Sequence, residues 1–534
     1  MNKSLIIFYI IGIFSVLSIS LITYFIVIRY HFRRFNGFLY FLILSSVYLI
    51  FSQFFKYHSL HYYVDFSHWT QILYNIVSSG KPLSLNQEFL VPGTMNYLSV
   101  HFVPLIYLLA LPFRLWPYSE TLMILNFLLM TSSIIPLYKL AESYQKNKQF
   151  GLFMVALLLW YPTFQYILLY EFEMLRFSIP IILWMLYFWK KRKTGLYFIF
   201  VILAVLVREE VGLTIMMFGL YLLLFEKRRK VGMVTAVIGL ISFIIITQMI
   251  MPALRSSDGY MHIAMGSFSA LGNSFGEIIM NIVKHPLETL VLVLKPIKLA
   301  NLFMIFLPLL FIPLCAPIVL INTFANFGVL LLSESLHLSY MLFYVSPSIP
   351  FIFLALIKGW PKLTKYLNKR GNKNWPKAKV NVNSPAMKAV LVGLLVSNVF
   401  FGPSLISLQF WFKDLRPAPF ATQNFHYSVY EISNHHRKAR EFCKLIPDSA
   451  IVSAQHFFHP RLFKKKGTMI FPRLESLDNK YKADYVLFDK TNNYLKKGSP
   501  SYKTQHDFDV VEKDKRNWQL VKSENGLFLY KRIK

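Results

Sequence analysis

The stretch Gly195–Phe225, GLYFIFVILAVLVREEVGLTIMMFGLYLLLF, decides the fold. It is apolar except for Arg208, Glu209 and Glu210 at its middle, and basic segments flank it at 190–194 and 226–230. A single tilted helix would hold three charges near the bilayer centre, where an ionisable group costs roughly 2.5–3.5 kcal/mol on insertion scales. Two short helices joined at the triplet keep both basic flanks on one side and put the charges at the opposite surface. The stretch therefore reads as a hairpin, and the chain as one solvated by lipid.

The rest of the sequence agrees. Of 534 residues, 55% are hydrophobic, 17% aromatic and only 16% charged, against about 25% charged in a soluble domain. Apolar runs near the bilayer-crossing length of about 20 residues recur at 4–28, 37–55, 150–169, 231–251, 340–358 and 387–409. Residues 299–332, with Pro313 and Pro317 near the middle, read as a second hairpin. The first run is followed by Arg29, Arg33 and Arg34 without a small-residue cleavage pattern, so it reads as a retained span. The expected fold class is an α-helical polytopic membrane protein of about 12 spans with a C-terminal α/β soluble domain.

Net charge is +31, from 57 Lys+Arg against 26 Asp+Glu. The basic segments 29–36, 139–149, 190–194, 226–230 and 358–379 separate apolar runs, which marks cytoplasmic loops beside anionic membrane lipids rather than a nucleic-acid surface. The loops 56–119 and 252–298, the turns near 170, 208 and 335, and the tail then fall outside. Parity requires an odd number of crossings between the outer loop and 139–149. Residues 101–116, interrupted by Pro104 and Pro112, are therefore expected to lie on the outer face, with 120–138 as the span. The domains are 1–409, transmembrane, with membrane-lying helices in the outer loop, and 410–534, extracytoplasmic α/β. In the tail, 430–446 patterns as a helix, and 450–455, 485–488 and 527–530 as strands. Cys315 and Cys443 sit in different environments, so no disulfide or thiolate metal site is expected.

This orientation gathers the scarce acidic residues on one side. Asp65 opens the outer loop, Glu171 and Glu173 sit at the turn Tyr170-Glu-Phe-Glu-Met-Leu-Arg176, and Glu209 and Glu210 follow Arg208. Such a set suits a general base, a metal, or hydrogen bonds that position a sugar; carboxylates at the lip of the headgroup zone are the plainer reading. Glu171 and Glu173 are two apart, so on a helix they diverge and at most one shares a pocket with Asp65. The triplet at 208–210 suits an ion pair with a neighbouring helix as well as it suits a substrate. His58, His61, Asp65 and His68 would share one helical face, which suits a divalent metal and, more often, a solvated interfacial face. No metal site or cofactor is assigned, with a divalent metal left open. His101 and His337 are further candidates on the outer side.

The ordered motifs Val64-Asp-Phe-Ser-His-Trp-Thr-Gln71, His101-Phe-Val-Pro-Leu-Ile-Tyr107, Pro136-Leu-Tyr-Lys-Leu-Ala141, Tyr170-Glu-Phe-Glu173 and Val207-Arg-Glu-Glu-Val-Gly212 resemble the bacterial and archaeal membrane family called domain of unknown function 2079. Leu445–Ala454, Phe471-Pro472 and Ala483–Asp489 fit it too. That family is similar to the GT-C superfamily of integral membrane glycosyltransferases. The resemblance implies a polyprenyl-phosphate-linked sugar as donor, transfer on the outer face of the inner membrane, and an unknown lipid, glycan or protein acceptor. It also implies that the first-loop acid, here Asp65, acts as base or metal ligand. Glu171, Glu173 and Glu210 join it as catalytic candidates, and His101, Arg208, Glu209 and His337 as substrate-binding ones. The family tends to Phe-Asp-Phe-His where this chain has Tyr170-Glu-Phe-Glu173, and to Lys-Glu-Asp where it has Arg208-Glu209-Glu210. A transporter or flippase, or a non-catalytic surface receptor on the same scaffold, are the alternative readings. Transporters typically carry their charges near the midplane within repeated halves; here no repeat is evident.

The orientation is testable in intact cells. Ser78→Cys and Ser523→Cys should react with a membrane-impermeant thiol reagent, and Lys369→Cys should not. Labelling at 369 with protection at 78 would invert the topology.

Overall fold

The computed structural model describes residues 3–29, 35–62, 64–85, 94–255, 263–334, 337–370, 384–415, 424–476, 479–491, 503–504 and 506–533. The basic residues expected at 30–34 and 371–379, the outer-loop residues 86–93 and 256–262, and the turn at 335–336 lie outside them.

Among the described residues four helices are long and apolar enough to cross a membrane: Leu39–His58, Ser119–Gln145, Arg229–Ala253 and Phe343–Leu367. Two pairs bent by 54°, Lys148–Trp160 with Pro162–Leu169 and Pro286–Val293 with Pro296–Leu309, raise the number to six. The expected count of about twelve therefore requires the shorter apolar helices to cross as well. The helix Ile106–Leu115 has 10 residues. At about 1.5 Å per residue it is half the length a crossing needs, and it packs beside the 16-residue helix Val64–Ser79.

The stretch 195–225 is two helices, Thr194–Val205 and Val211–Leu224. The ring of Tyr197, near the start of the first, lies 6.5 Å from that of Phe218, late in the second. The two therefore run antiparallel, with Arg208–Glu210 at the bend. In the second expected hairpin the chain reverses at Leu310 and Phe311, both left-handed, with φ of 47° and 57°.

One packing device was not legible from hydropathy. Gly212 and Gly219 on one helix face Gly239 and Gly232 on Arg229–Ile245, each pair seven residues apart. A methyl group on Gly212 would stand 2.7 Å from the Gly239 carbonyl, and one on Gly232 would stand 2.6 Å from the Leu223 amide nitrogen. The backbones touch directly, which is how helices associate where lipid supplies no hydrophobic drive.

The tail folds as a five-stranded mixed sheet of order β2-β1-β3-β5-β4, with β1 Ile451–Ala454, β2 Gly467–Ile470, β3 Tyr485–Asp489, β4 Trp518–Glu524 and β5 Leu527–Arg532. Strands β1, β2 and β3 are parallel, and β5 runs antiparallel to β3 and β4. The helix Asn434–Lys444 covers it. Strands β2 and β4 escaped the sequence reading because β2 follows a lysine run and β4 is a largely exposed edge.

This α/β unit is docked on the helices. Leu60, left-handed at φ 66°, buries its side chain among Ala439, Phe442, Phe457 and Phe458. Arg461 lies over the Tyr57 ring at 4.4 Å and donates to the Tyr57 carbonyl. Ser119 donates to the Pro460 carbonyl at 2.7 Å, and Phe463 packs on Tyr74 and Phe113. The helix Val64–Ser79 is thus held between the bundle and the α/β unit.

The glycine seam predicts a sharp asymmetry. Gly219→Leu should destabilise the purified protein by about 1–3 kcal/mol or more, as overpacking does, read as a fall in its melting temperature. Gly195→Ala, with nothing within 4 Å of the added carbon, should leave it unchanged.

Candidate functional site

The site is built around a short extended segment. The helix Pro162–Leu169 ends before Tyr170, and Glu173 has φ −152° and ψ 136° before a 3-10 turn begins at Met174. Glu171 and Glu173 lie in this non-helical segment, so the divergence expected for a helix does not apply: Glu171 meets the amino end of the Val64–Ser79 helix, and Glu173 meets Tyr97 and Arg208. Glu171 accepts from the Phe66 amide at 3.0 Å, capping that helix from outside, where a carboxylate is favoured. Tyr170 donates to Asp65 Oδ2 at 2.9 Å. Arg176, fully buried, donates to Asn126 at 2.9 Å and to the Glu171 carbonyl, which pins the segment from below.

The hairpin bend supplies the other half. Arg208 sits among three carboxylates: Glu210 at 3.0 Å, Glu173 at 3.8 Å and Glu209 at 3.9 Å. Its Nη2 contacts His101 Nε2 at 3.2 Å, while Glu209 holds His101 Nδ1 at 2.8 Å and the Phe102 amide at 2.9 Å. The Arg208 Nε and Nη1 atoms are buried and make no hydrogen bond among the described residues, since the ion pairs lack hydrogen-bond geometry. His337 arrives through Tyr344: their rings are 4.5 Å apart, and Arg208 lies 5.7 Å from the Tyr344 ring centre. Tyr97 donates to Glu173 at 3.5 Å.

All eight sequence candidates therefore fall in one region, in two kinds. Glu171, Glu173, Arg208 and Glu209 are buried; Asp65, His101, Glu210 and His337 keep access to solvent or ligand. Sequence reasoning did not single out Tyr97, Tyr170 or Tyr344. The signal available was Tyr170 directly beside Glu171. The His58–His61–Asp65–His68 face does not form, because the helix ends at His58 and restarts at Val64 after left-handed Leu60. His58 turns to Arg440 at 3.2 Å and Glu120 at 3.9 Å, His61 to Ser59, and His68 to Ser84 at 3.3 Å. Among the described residues no three His, Cys, Asp or Glu side chains are placed to hold a metal ion.

Burial raises the Asp65 carboxyl above the ordinary aspartate value, and the Tyr170 hydroxyl draws it part of the way back. Burial likewise raises Glu173, to about 7; Arg208 opposes the rise and the charge of Asp65 adds to it. For Arg208, burial disfavours the charge, but Glu210, Glu173 and Glu209 outweigh it and hold its pKa above the ordinary value. Burial and the Arg208 charge lower His337 to about 4.

Because Glu173 binds its proton more tightly in the folded state, its stabilising contribution is complete below about pH 4.5 and is lost as pH rises toward 7. Glu173→Gln removes this titration. Its melting temperature relative to the native protein should therefore increase between pH 5 and pH 8; a difference independent of pH would contradict the assignment.

Among solved structures the chain is similar to ArnT from Cupriavidus metallidurans in the apo state, at 12% identity and a TM-score of 0.47, covering 93% of this chain and 98% of that one. No curated protein matches it. The family described as "Predicted membrane protein (DUF2079)" matches residues 56–529, from the outer loop to the last strand. The chain belongs to that family of membrane proteins.

Proposed function

We propose that this protein is a membrane glycosyltransferase that moves a sugar from a polyprenyl-phosphate donor to an acceptor hydroxyl at the acidic end of its helices. The observation that carries the reading is Asp65: a half-buried carboxylate with a raised proton affinity, fixed by the Tyr170 hydroxyl at 2.9 Å. A carboxylate whose proton affinity is raised is a stronger base toward an acceptor hydroxyl. The motif resemblance supplies the donor class and the outer face.

In the proposed step Asp65 takes the proton of the acceptor hydroxyl. The acceptor oxygen forms a bond to the anomeric carbon as the bond from that carbon to the phosphate oxygen breaks. The electron pair leaves with the phosphate, and configuration inverts. Arg208 is the guanidinium of this cluster, ion-paired with Glu210 at 3.0 Å, and a phosphate oxygen is a partner that a guanidinium suits. Glu173, Glu209 and Glu210 hold the guanidinium in place. His101, fixed by Glu209, and His337 are placed to meet sugar hydroxyls. The gathering of charge at one end of the helices favours this reading over transport.

Asp65→Asn keeps the side-chain shape and removes its basicity. Turnover should fall by roughly 10²–10⁴ while the protein folds and inserts normally. A deletion strain complemented with either form, at matched protein level, reads this out in its glycan and lipid profile. Full restoration by the Asn form would remove Asp65 from the chemistry, and an unchanged profile in the deletion strain would favour a non-enzymatic role.

A further inference from the structure

At the other end of the same helices lies a cleft of about 40 Å³, lined by Phe188, Trp189, Tyr197, Val231, Arg192 and Arg228. It is framed by the starts of Thr194–Val205 and Arg229–Ile245. The 14-residue helix Val211–Leu224, at about 1.5 Å per residue, separates it from Arg208 by about 20 Å. We infer that this cleft binds the phosphate of an anionic glycerophospholipid headgroup.

The neighbouring cations show why these two arginines differ. Lys358 is neutralised by Glu226 at 2.6 Å and bonded to Tyr221 at 2.8 Å, and Lys190 lies over the Tyr144 ring at 3.9 Å. Arg192 and Arg228 are exposed and have no ion pair, side-chain hydrogen bond or ring contact among the described residues. They come from two separate turns and line one cleft. The acid of that region, Glu226, is already engaged. Both framing helices begin without a side-chain cap, at Lys193 and Arg228, so their first-turn amides add to the same positive field.

Phosphate chemistry fits either a lipid headgroup or a free anion, and the surroundings favour the lipid. The framing helices expose Ile199 and Ile202 on one and Val234, Val237 and Ile241 on the other, an apolar surface suited to acyl chains. Trp189, half-buried at the cleft, is a side chain of the kind that settles at headgroup depth. Basic pockets between helices on the positively charged face are where anionic headgroups bind.

The full-length protein, purified in detergent, would be titrated with phosphatidylglycerol and phosphatidylcholine, and retained lipid counted by native mass spectrometry. Phosphatidylglycerol should be retained in preference, and Arg192→Gln with Arg228→Gln should weaken it by roughly tenfold or more. Lys227→Gln with Lys230→Gln removes equal charge outside the cleft lining and should retain it. If the double arginine variant does not fold, Arg228→Gln alone, at an exposed position, should give a partial loss. Equal weakening by the lysine pair would reduce the effect to diffuse surface charge and overturn the site. Full displacement of the lipid by inorganic phosphate alone would overturn the lipid assignment.

Discussion

The bond from the Phe66 amide to the Glu171 carboxylate, 3.0 Å long, is the contact on which the acidic end depends. It joins an extended segment between two membrane helices to the amino end of a helix lying outside them. Burying a carboxylate is unfavourable unless donors meet it, and a helix amino terminus offers unpaired N–H groups with a favourable dipole. Once that bond is made, Tyr170 on one side reaches Asp65 and Glu173 on the other reaches Arg208. Arg176 fixes the backbone beneath. Removing one partner of such a buried polar set typically costs about 3–5 kcal/mol, so the arrangement is rigid.

The fold places rigid and adaptable parts accordingly. The glycine seam between Val211–Leu224 and Arg229–Ile245 sets the depth at which Arg208–Glu210 emerge, because backbone contact leaves no side chain to adjust. The α/β unit sits on the outer face of the Val64–Ser79 helix through Leu60, Arg461 and Phe463. It therefore braces the helix that carries Asp65. The segment 424–430 belongs to the bundle, since Phe425 packs on Tyr166 at 5.2 Å, so the α/β fold starts later than composition suggested.

Charge is divided along the same helices. At one end carboxylates outnumber the cations, and burial raises Asp65 and Glu173. At the other end Arg192 and Arg228 face a cleft with the nearby acid already paired. Thr194–Val205 runs from that cleft to the bend at Arg208, so the two ends share one short rigid element.

Sequence alone determined the solvent and which acids gather at one end of the helices. Only lipid accommodates the run at 195–225, and only a bend at Arg208–Glu210 keeps its charges out of the hydrocarbon. Positive loops then sent Asp65, Glu171, Glu173, Glu209 and Glu210 to one end. Hydropathy and charge are properties of residues, and they survive without coordinates. What the tertiary structure decided was direction. A non-helical segment at 170–173 brought Glu171 to the Phe66 amide and Glu173 to Arg208. A left-handed Leu60 broke the histidine face that spacing had aligned. Three tyrosines that no sequence pattern singled out, Tyr170, Tyr97 and Tyr344, became the partners of Asp65, Glu173 and Arg208. Backbone dihedrals and contacts between residues far apart in the chain, such as Glu171 with Phe66 and Tyr170 with Asp65, set these outcomes, which no local pattern records.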